Sequence, residues 1–285
     1  MRKALLTTVA LALVLAACGK AKETNLNLGV SSASPGTTSS AAPGETTAPK
    51  SSSAPGATKA PSSSSSSSST SGSKGSTTTP KPAPPGGANT PKDGTYDYRA
   101  DGSVTSNGSN PQNYSNQTVT ADISHSGNVY TTKQTTQQAT TTSKDQWTST
   151  KILFQSVEIS SPYGTFSCTY NPALTIAKFP TKPETFPQQH LSGSGNACGG
   201  TLDIQVLDKE NVVDASGHTW SAWKIHVKIN SQFKYNGTPV TAQSDEMRWF
   251  SPDLGVEVKS IANGSNTSPL GKTTSKTTTV LKSHP

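Results

Sequence analysis

The sequence predicts an all-β protein: a single strongly curved antiparallel sheet, a half-barrel or open barrel, preceded by a disordered linker. Apolar side chains in the second two-thirds of the chain recur with a period of two, which is typical of strands with one buried face. No stretch of ten or more residues there shows an apolar period of 3.6, so no amphipathic helix is expected to cover the sheet. The sheet must therefore curve around its own apolar face or split into a sandwich, and we expect the curved sheet.

Residues 1–17 have the layout of a signal peptide. Arg2 and Lys3 precede an apolar run that ends at Ala17 and is shorter than the roughly 20 residues of a membrane-spanning helix. The stretch Leu15-Ala16-Ala17-Cys18 resembles the lipobox of bacterial lipoproteins. This resemblance implies that Cys18 becomes the acylated first residue and that a lipid anchor holds the protein on the extracytoplasmic face of the cell membrane. The alternative is an ordinary secreted protein with a chance cysteine.

Residues 18–93 consist almost entirely of Ser, Thr, Pro, Gly, Ala and Lys, with an unbroken serine run from Ser62 to Ser69. Such a segment buries too little apolar surface to offset the entropy of ordering, so we expect a disordered tether. A flexible chain of this length has a root-mean-square span of roughly 50 Å. Its composition also resembles glycosylated stalks, and a filler segment of no particular length is an equal alternative.

The net charge of +7 lies mostly outside the segment that can fold. Residues 96–285 carry fifteen basic and fourteen acidic residues, so this region lacks the dense basic footprint of a nucleic-acid-binding domain. An extracytoplasmic location also removes the usual nucleic-acid partner. The sequence therefore predicts no nucleic-acid binding.

Residues 94–285 form the predicted all-β domain, which we expect to contain nine to eleven strands. The clearest strand surrounds Trp223, where apolar residues alternate with Lys224, His226 and Lys228. One ligand-facing surface is predicted on the apolar side of this strand and the next. Its members are Trp223, Ile225, Val227, Met247 and Trp249.

Residues 171–197 contain four Xaa-Pro pairs and are predicted to form a long irregular excursion. Cys168 and Cys198 bracket this excursion, and in an oxidising compartment they are expected to form a disulfide. The alternatives are a free nucleophilic cysteine and two unpaired thiols. The stretch around Cys198 lacks the adjoining histidine of cysteine transpeptidases, and His190 lies eight residues upstream.

Other catalytic and cofactor chemistries find little support in the sequence. It has no nucleophile elbow, phosphate loop or dinucleotide fingerprint, and its five histidines are scattered. Asp245 and Glu246 are adjacent and should point to opposite sides of a strand, so we interpret both as ordinary surface and edge charges. We therefore expect no enzyme, no cofactor and no metal site.

The stretch Arg248-Trp249-Phe250-Ser251-Pro252-Asp253-Leu254-Gly255-Val256-Glu257-Val258-Lys259 is similar to paired strands of exported DUF3108-type domains and, more distantly, of the LolA/LppX group. That resemblance implies an open barrel that holds acyl chains. The leading hypothesis is a non-catalytic domain that binds an apolar envelope ligand or an envelope protein. The alternative is a passive wall-associated interaction protein without a ligand cavity.

Overall fold

The computed structural model describes residues 89–162, 164–235, 237–269 and 271–285. The predicted signal peptide, Cys18 and the predicted linker as far as residue 88 lie outside these ranges. Among the described residues, no helix is long and apolar enough to cross a lipid bilayer.

The described chain is one antiparallel sheet of fourteen strands, which confirms the predicted all-β class. Eleven strands have at least seven residues and three have only two. The strands are β1 (Gly94–Ser106), β2 (Gln112–Ser126), β3 (Val129–Thr135), β4 (Thr140–Trp147), β5 (Lys151–Ser161), β6 (Gly164–Lys178), β7 (Glu184–Thr185), β8 (Gln189–His190), β9 (Gly193–Ser194), β10 (Gly200–Val213), β11 (Thr219–Tyr235), β12 (Thr238–Ser251), β13 (Val256–Ser268) and β14 (Gly271–Ser283).

The first and last strands meet in the middle of the sheet, where β1 pairs with both β14 and β2. From there the sheet runs through β13, β12 and β11 to β10 on one side, and through β2, β3, β4 and β5 to β6 on the other. The ladder does not close into a ring, so β6 and β10 carry the two free edges. These edge strands are consecutive long strands in the chain, and residues 179–199 connect them.

Residues 179–199, the clasp segment, bridge the two edges. In this segment β8 pairs with β10 and β9 pairs with β6, with only two residues between β8 and β9. The side chain of Gln189 donates to the carbonyl of Thr175 at 2.8 Å and accepts from its amide at 2.6 Å. The predicted disulfide is present between Cys168 on β6 and Cys198 in the clasp segment. The clasp segment thus covers part of each edge and pairs some of the open groups of the edge strands.

The predicted excursion at 171–197 is wrong in its first eight residues, which continue β6. Pro172 is tolerated inside this strand because the register with β5 shifts there: Thr169 pairs with Ser156, but Leu174 pairs with Phe154. A bulge leaves the proline without a ladder hydrogen bond to make. The irregular part of the chain begins at Phe179.

The period-two pattern found in the sequence corresponds to burial. In β1 the side chains of Tyr96, Tyr98 and Ala100 are buried, while the residues between them are half-buried. Tyr98 also donates its hydroxyl to the carbonyl of Glu257 at 3.1 Å, a contact that joins β1 to β13. Phe166 of β6 meets the edge of Phe233 of β11, with ring centroids 5.3 Å apart. The described elements are all strands, so the curved sheet packs its inward face against itself.

The turn between β12 and β13 uses a glycine for a conformational reason. Gly255 has a φ of 72° and donates its amide to the carbonyl of Ser251 at 2.8 Å. An L side chain is strained at this φ, whereas glycine is not. The turn at Asp253-Leu254-Gly255 therefore closes the hairpin of β12 and β13, which carries the charged interior described next.

Candidate functional site

The five predicted ligand-facing residues do not share one surface. Ile225 and Val227 pair across β11 and β12 with Arg248 and Glu246, so these four side chains point inward. Met247 and Trp249 pair with the outward-facing His226 and Lys224. Residues of β12 do alternate between two faces, as predicted. The prediction placed Met247 and Trp249 on the inward face, but that face carries the charged side chains of Glu246 and Arg248.

The inward members of the predicted set are core side chains. Ile225 and Val227 are only 4% and 5% exposed and belong to the main apolar cluster. Trp223 is half-buried at the border of that cluster, with the ammonium of Lys209 lying 5.2 Å from its ring centroid. Side chains that line a cavity of several hundred Å³ would keep accessible surface. The apolar residues of β11 therefore act in packing rather than as the wall of a pocket.

A charged cluster lies among these core residues. Arg248 donates Nε and Nη2 to one oxygen of Glu246, at 2.8 and 2.6 Å, and Nη1 to Glu257 at 3.1 Å. The hydroxyl of Ser244 donates to the other oxygen of Glu246 at 2.5 Å. Burial lowers the pKa of Arg248, but the two carboxylates outweigh that effect and the net pKa is raised. The guanidinium is therefore held in its charged form inside the sheet.

Glu246 corrects the interpretation of the adjacent acids as surface charges. Its side chain is 1% exposed, whereas the side chain of Asp245 is 54% exposed and bonds His226 Nε2 at 2.8 Å on the outward face. The alternation was right, and one of its two faces is the core. A glutamate next to a surface aspartate carries no local signal of burial, because the partner that neutralises it, Arg248, becomes recognisable only when the inward face is known.

Asp145 of β4 faces the same cluster from the opposite side of the interior. It is fully buried, and neither carboxyl oxygen has a hydrogen-bond partner among the described residues. Burial raises the pKa of Asp145 well above its usual value; the charge of Glu257 raises it further and that of Arg248 opposes the shift. Trp147, two residues along β4, also has a buried indole N–H without a partner in the described chain. The interior is therefore acidic, sealed and incompletely hydrogen-bonded.

The charged cluster contains acidic and basic side chains of the kind found in catalytic sites, but these side chains are not accessible to solvent. The side chains of Glu246, Arg248 and Glu257 keep only 1%, 4% and 3% of their surface. General acid–base catalysis needs contact with the proton that is transferred, and a substrate cannot reach these groups in this conformation. The disulfide likewise leaves Cys198 without the free thiol that a nucleophile requires.

On the outward face, Trp249 is covered by charged side chains. The ammonium groups of Lys224 and Lys259 lie 5.4 and 4.9 Å from its ring centroid, and the indole N–H donates to the carboxylate of Glu210. This hydrogen bond lowers the pKa of Glu210. Trp249 is 5% exposed and is also a member of the main apolar cluster. The aromatic ring that the sequence singled out thus supports a charged patch on the outward surface.

Next to that patch the outward face of β11–β14 forms a concavity of about 490 Å³, the polar depression. Its wall is formed by amide, hydroxyl and charged groups and includes none of the five predicted ligand-facing residues. The lining residues are Lys228, Asn230, Gln243, Ser244, Asp245, Asn263, Gly264, Ser265, Thr274 and Ser275.

The depression is built from two cross-strand rows of side chains. Strand pairing aligns one residue from each of four neighbouring strands in each row. The amide row consists of Asn230, Gln243, Ser265 and Thr274, and the charged row of Lys228, Asp245 and Asn263. Lys276, which pairs with Asn263, continues the charged row beyond the lining residues. Sequence reasoning missed both rows, because they depend on the register of four strands and their members are ordinary polar residues taken singly.

Within the described residues, no three His, Cys, Asp or Glu side chains are grouped closely enough to hold a metal ion. No protein-family model matches this sequence, and no curated protein matches it.

Proposed function

We propose that this chain is a membrane-anchored extracytoplasmic lipoprotein whose β domain is a non-catalytic binding module that recognises an envelope component through the outward face of β11–β14. The lipobox at Cys18 supports the anchor and the location. The segment at 18–93 supplies the reach between the membrane and the domain.

One observation carries the choice of the outward face. The inward apolar residues, including Ile225 and Val227, are packed in the core, while the polar depression of about 490 Å³ lies on the other side of the same strands. The depression is concave and carries convergent polar groups, but it lacks the apolar side chains of a typical small-molecule pocket, so it suits a polar partner. These facts favour recognition of a polar surface or partner over storage of an apolar molecule in the interior.

Blocking the depression tests this proposal. Full-length protein extracted from membranes in detergent is incubated with envelope material from which detergent has removed the lipids, so that the acyl anchor cannot carry the protein into the pellet, and the bound fraction is measured by sedimentation. Ser265→Arg places a long cationic side chain in the middle of the depression and should abolish sedimentation. Ser109→Arg makes the same change at an exposed turn between β1 and β2 and should leave it unchanged.

Two results would overturn the proposal. Equal sedimentation of both variants would remove the outward face from recognition. An apolar molecule that co-purifies at one copy per chain, detected by native mass spectrometry, would assign the binding function to the interior instead. The same spectra should show Cys18 as the acylated first residue, and an uncleaved leader would contradict the anchor.

A further inference from the structure

We infer that the polar depression binds a neutral glycan, a polymer rich in hydroxyl and amide groups, lying across β11–β14. This inference rests on the proposed function and names the chemical class of its ligand. The alternatives, an anionic polymer or a protein, become outcomes of the experiment below.

The first argument is the chemistry of the amide row. Side-chain amides donate and accept, and hydroxyl groups do both, which matches the hydroxyl and acetamido groups of amino sugars. Gln243 and Asn263 are exposed, and within the described chain their side-chain amide groups make no hydrogen bond. They are therefore available to a ligand without breaking an internal contact.

The second argument is spacing. Neighbouring strands lie about 4.8 Å apart, and each strand contributes one side chain to each row. This repeat is comparable to the length of one sugar unit in an extended β-linked polysaccharide. A glycan perpendicular to the strands would therefore present one unit to each of β11, β12, β13 and β14, and the two rows would contact its two edges.

The third argument is charge. In the charged row the carboxylate of Asp245 lies 4.0 Å from the ammonium of Lys228 and 2.8 Å from His226. Lys276 stands at the far end of the row, next to Asn263. The row thus mixes both signs with a neutral amide and offers no continuous positive strip for a polyanion. Directional hydrogen bonding to an uncharged polymer fits this pattern better.

The experiment is calorimetric titration of full-length Cys18→Ser protein with the hexamer of β-1,4-linked N-acetylglucosamine. This substitution removes the acylated thiol and keeps every described residue. The hexamer should bind. Raising the salt concentration from 50 to 500 mM should change its Kd less than twofold, because salt screens interactions between charges and the hexamer carries none. Gln243→Ala/Asn263→Ala should weaken binding by about tenfold, because two hydrogen-bonding groups are lost.

The matched control is Asn211→Ala/Gln137→Ala, which removes two exposed amides outside the depression and should leave Kd unchanged. Absence of hexamer binding, or equal affinity of both double variants, would overturn the glycan assignment. A steep loss of affinity with salt would point to an anionic polymer and overturn it as well. If envelope sedimentation still requires an open depression while the hexamer fails to bind, the proposed function stands and only the ligand class is wrong.

Discussion

Asp145 is the residue whose environment differs most from that of an ordinary carboxyl group. Its folded-state pKa is raised, chiefly by burial, so the folded protein binds a proton that the unfolded chain releases above about pH 4. Stability therefore falls as pH rises from about 4 toward the folded-state pKa. This residue costs stability at neutral pH and costs little in acid.

Asp145→Asn should stabilise the protein at pH 7 by about 1–3 kcal/mol, because a neutral amide avoids that cost. At pH 4 the gain should shrink toward zero. Urea unfolding at the two pH values measures both quantities, with Asp208→Asn at an exposed position of β10 as the control. A destabilised variant, or a gain that is the same at both pH values, would contradict the description of Asp145 as a neutral buried acid.

Arg248 donates hydrogen bonds to two buried carboxylates, and its removal leaves both without their cation. Arg248→Met should lower the free energy of unfolding by about 3–5 kcal/mol, the usual effect of breaking a buried ion pair. Adding Glu246→Gln and Glu257→Gln to that variant should restore a large part of the loss, because no uncompensated charge remains.

The control for Arg248 is Arg99→Met. Arg99 bonds Asp101 at 3.1 Å, but its side chain is 43% exposed, so its loss should cost less than about 1 kcal/mol. Equal effects of the two arginine variants in chemical unfolding would show that the interior cluster carries no special energy.

Among the elements, the clasp segment is held by two-residue strand pairings and by the disulfide. The double variant Cys168→Ala/Cys198→Ala should lose roughly 3–4 kcal/mol in the chain-entropy model for a loop of 30 residues. Hydrogen exchange should quicken in residues 179–199 and stay slow in β12 and β13, because the clasp residues pair through only two-residue strands. Quickened exchange throughout the sheet would mean that the clasp is required for the whole fold.

The elements also show how far sequence reasoning reaches. Alternation found β11 because its inward residues are apolar, and the two cysteines that remain in an exported domain predicted the disulfide. Alternation gave the wrong inward face for β12: it placed Met247 and Trp249 inward, whereas Glu246 and Arg248 are the inward residues. Prolines at 172 and 180 suggested one irregular excursion, yet a bulge accommodates Pro172 inside β6. The polar depression could not be predicted, because no single strand carries its pattern.

At the scale of the whole described domain, three features lie in different parts of the sheet. The charged cluster of β12 and β13 stabilises one side of the interior, the clasp segment bridges the sheet edges, and the outward face of β11–β14 is free to meet a partner. The described domain begins beside the end of its last strand, since β1 pairs with β14. In the proposed function, recognition belongs to β11–β14 and attachment to Cys18, which are different parts of the chain.

The most direct test of recognition on the outward face is chemical-shift mapping by NMR during titration of the full-length Cys18→Ser protein with the N-acetylglucosamine hexamer. The account predicts shifts in backbone and side-chain amides at Lys228–Asn230, Gln243–Asp245 and Asn263–Ser265. Shifts confined to Ile225, Val227 and the clasp segment would contradict it, because they would place the ligand inside the curved sheet.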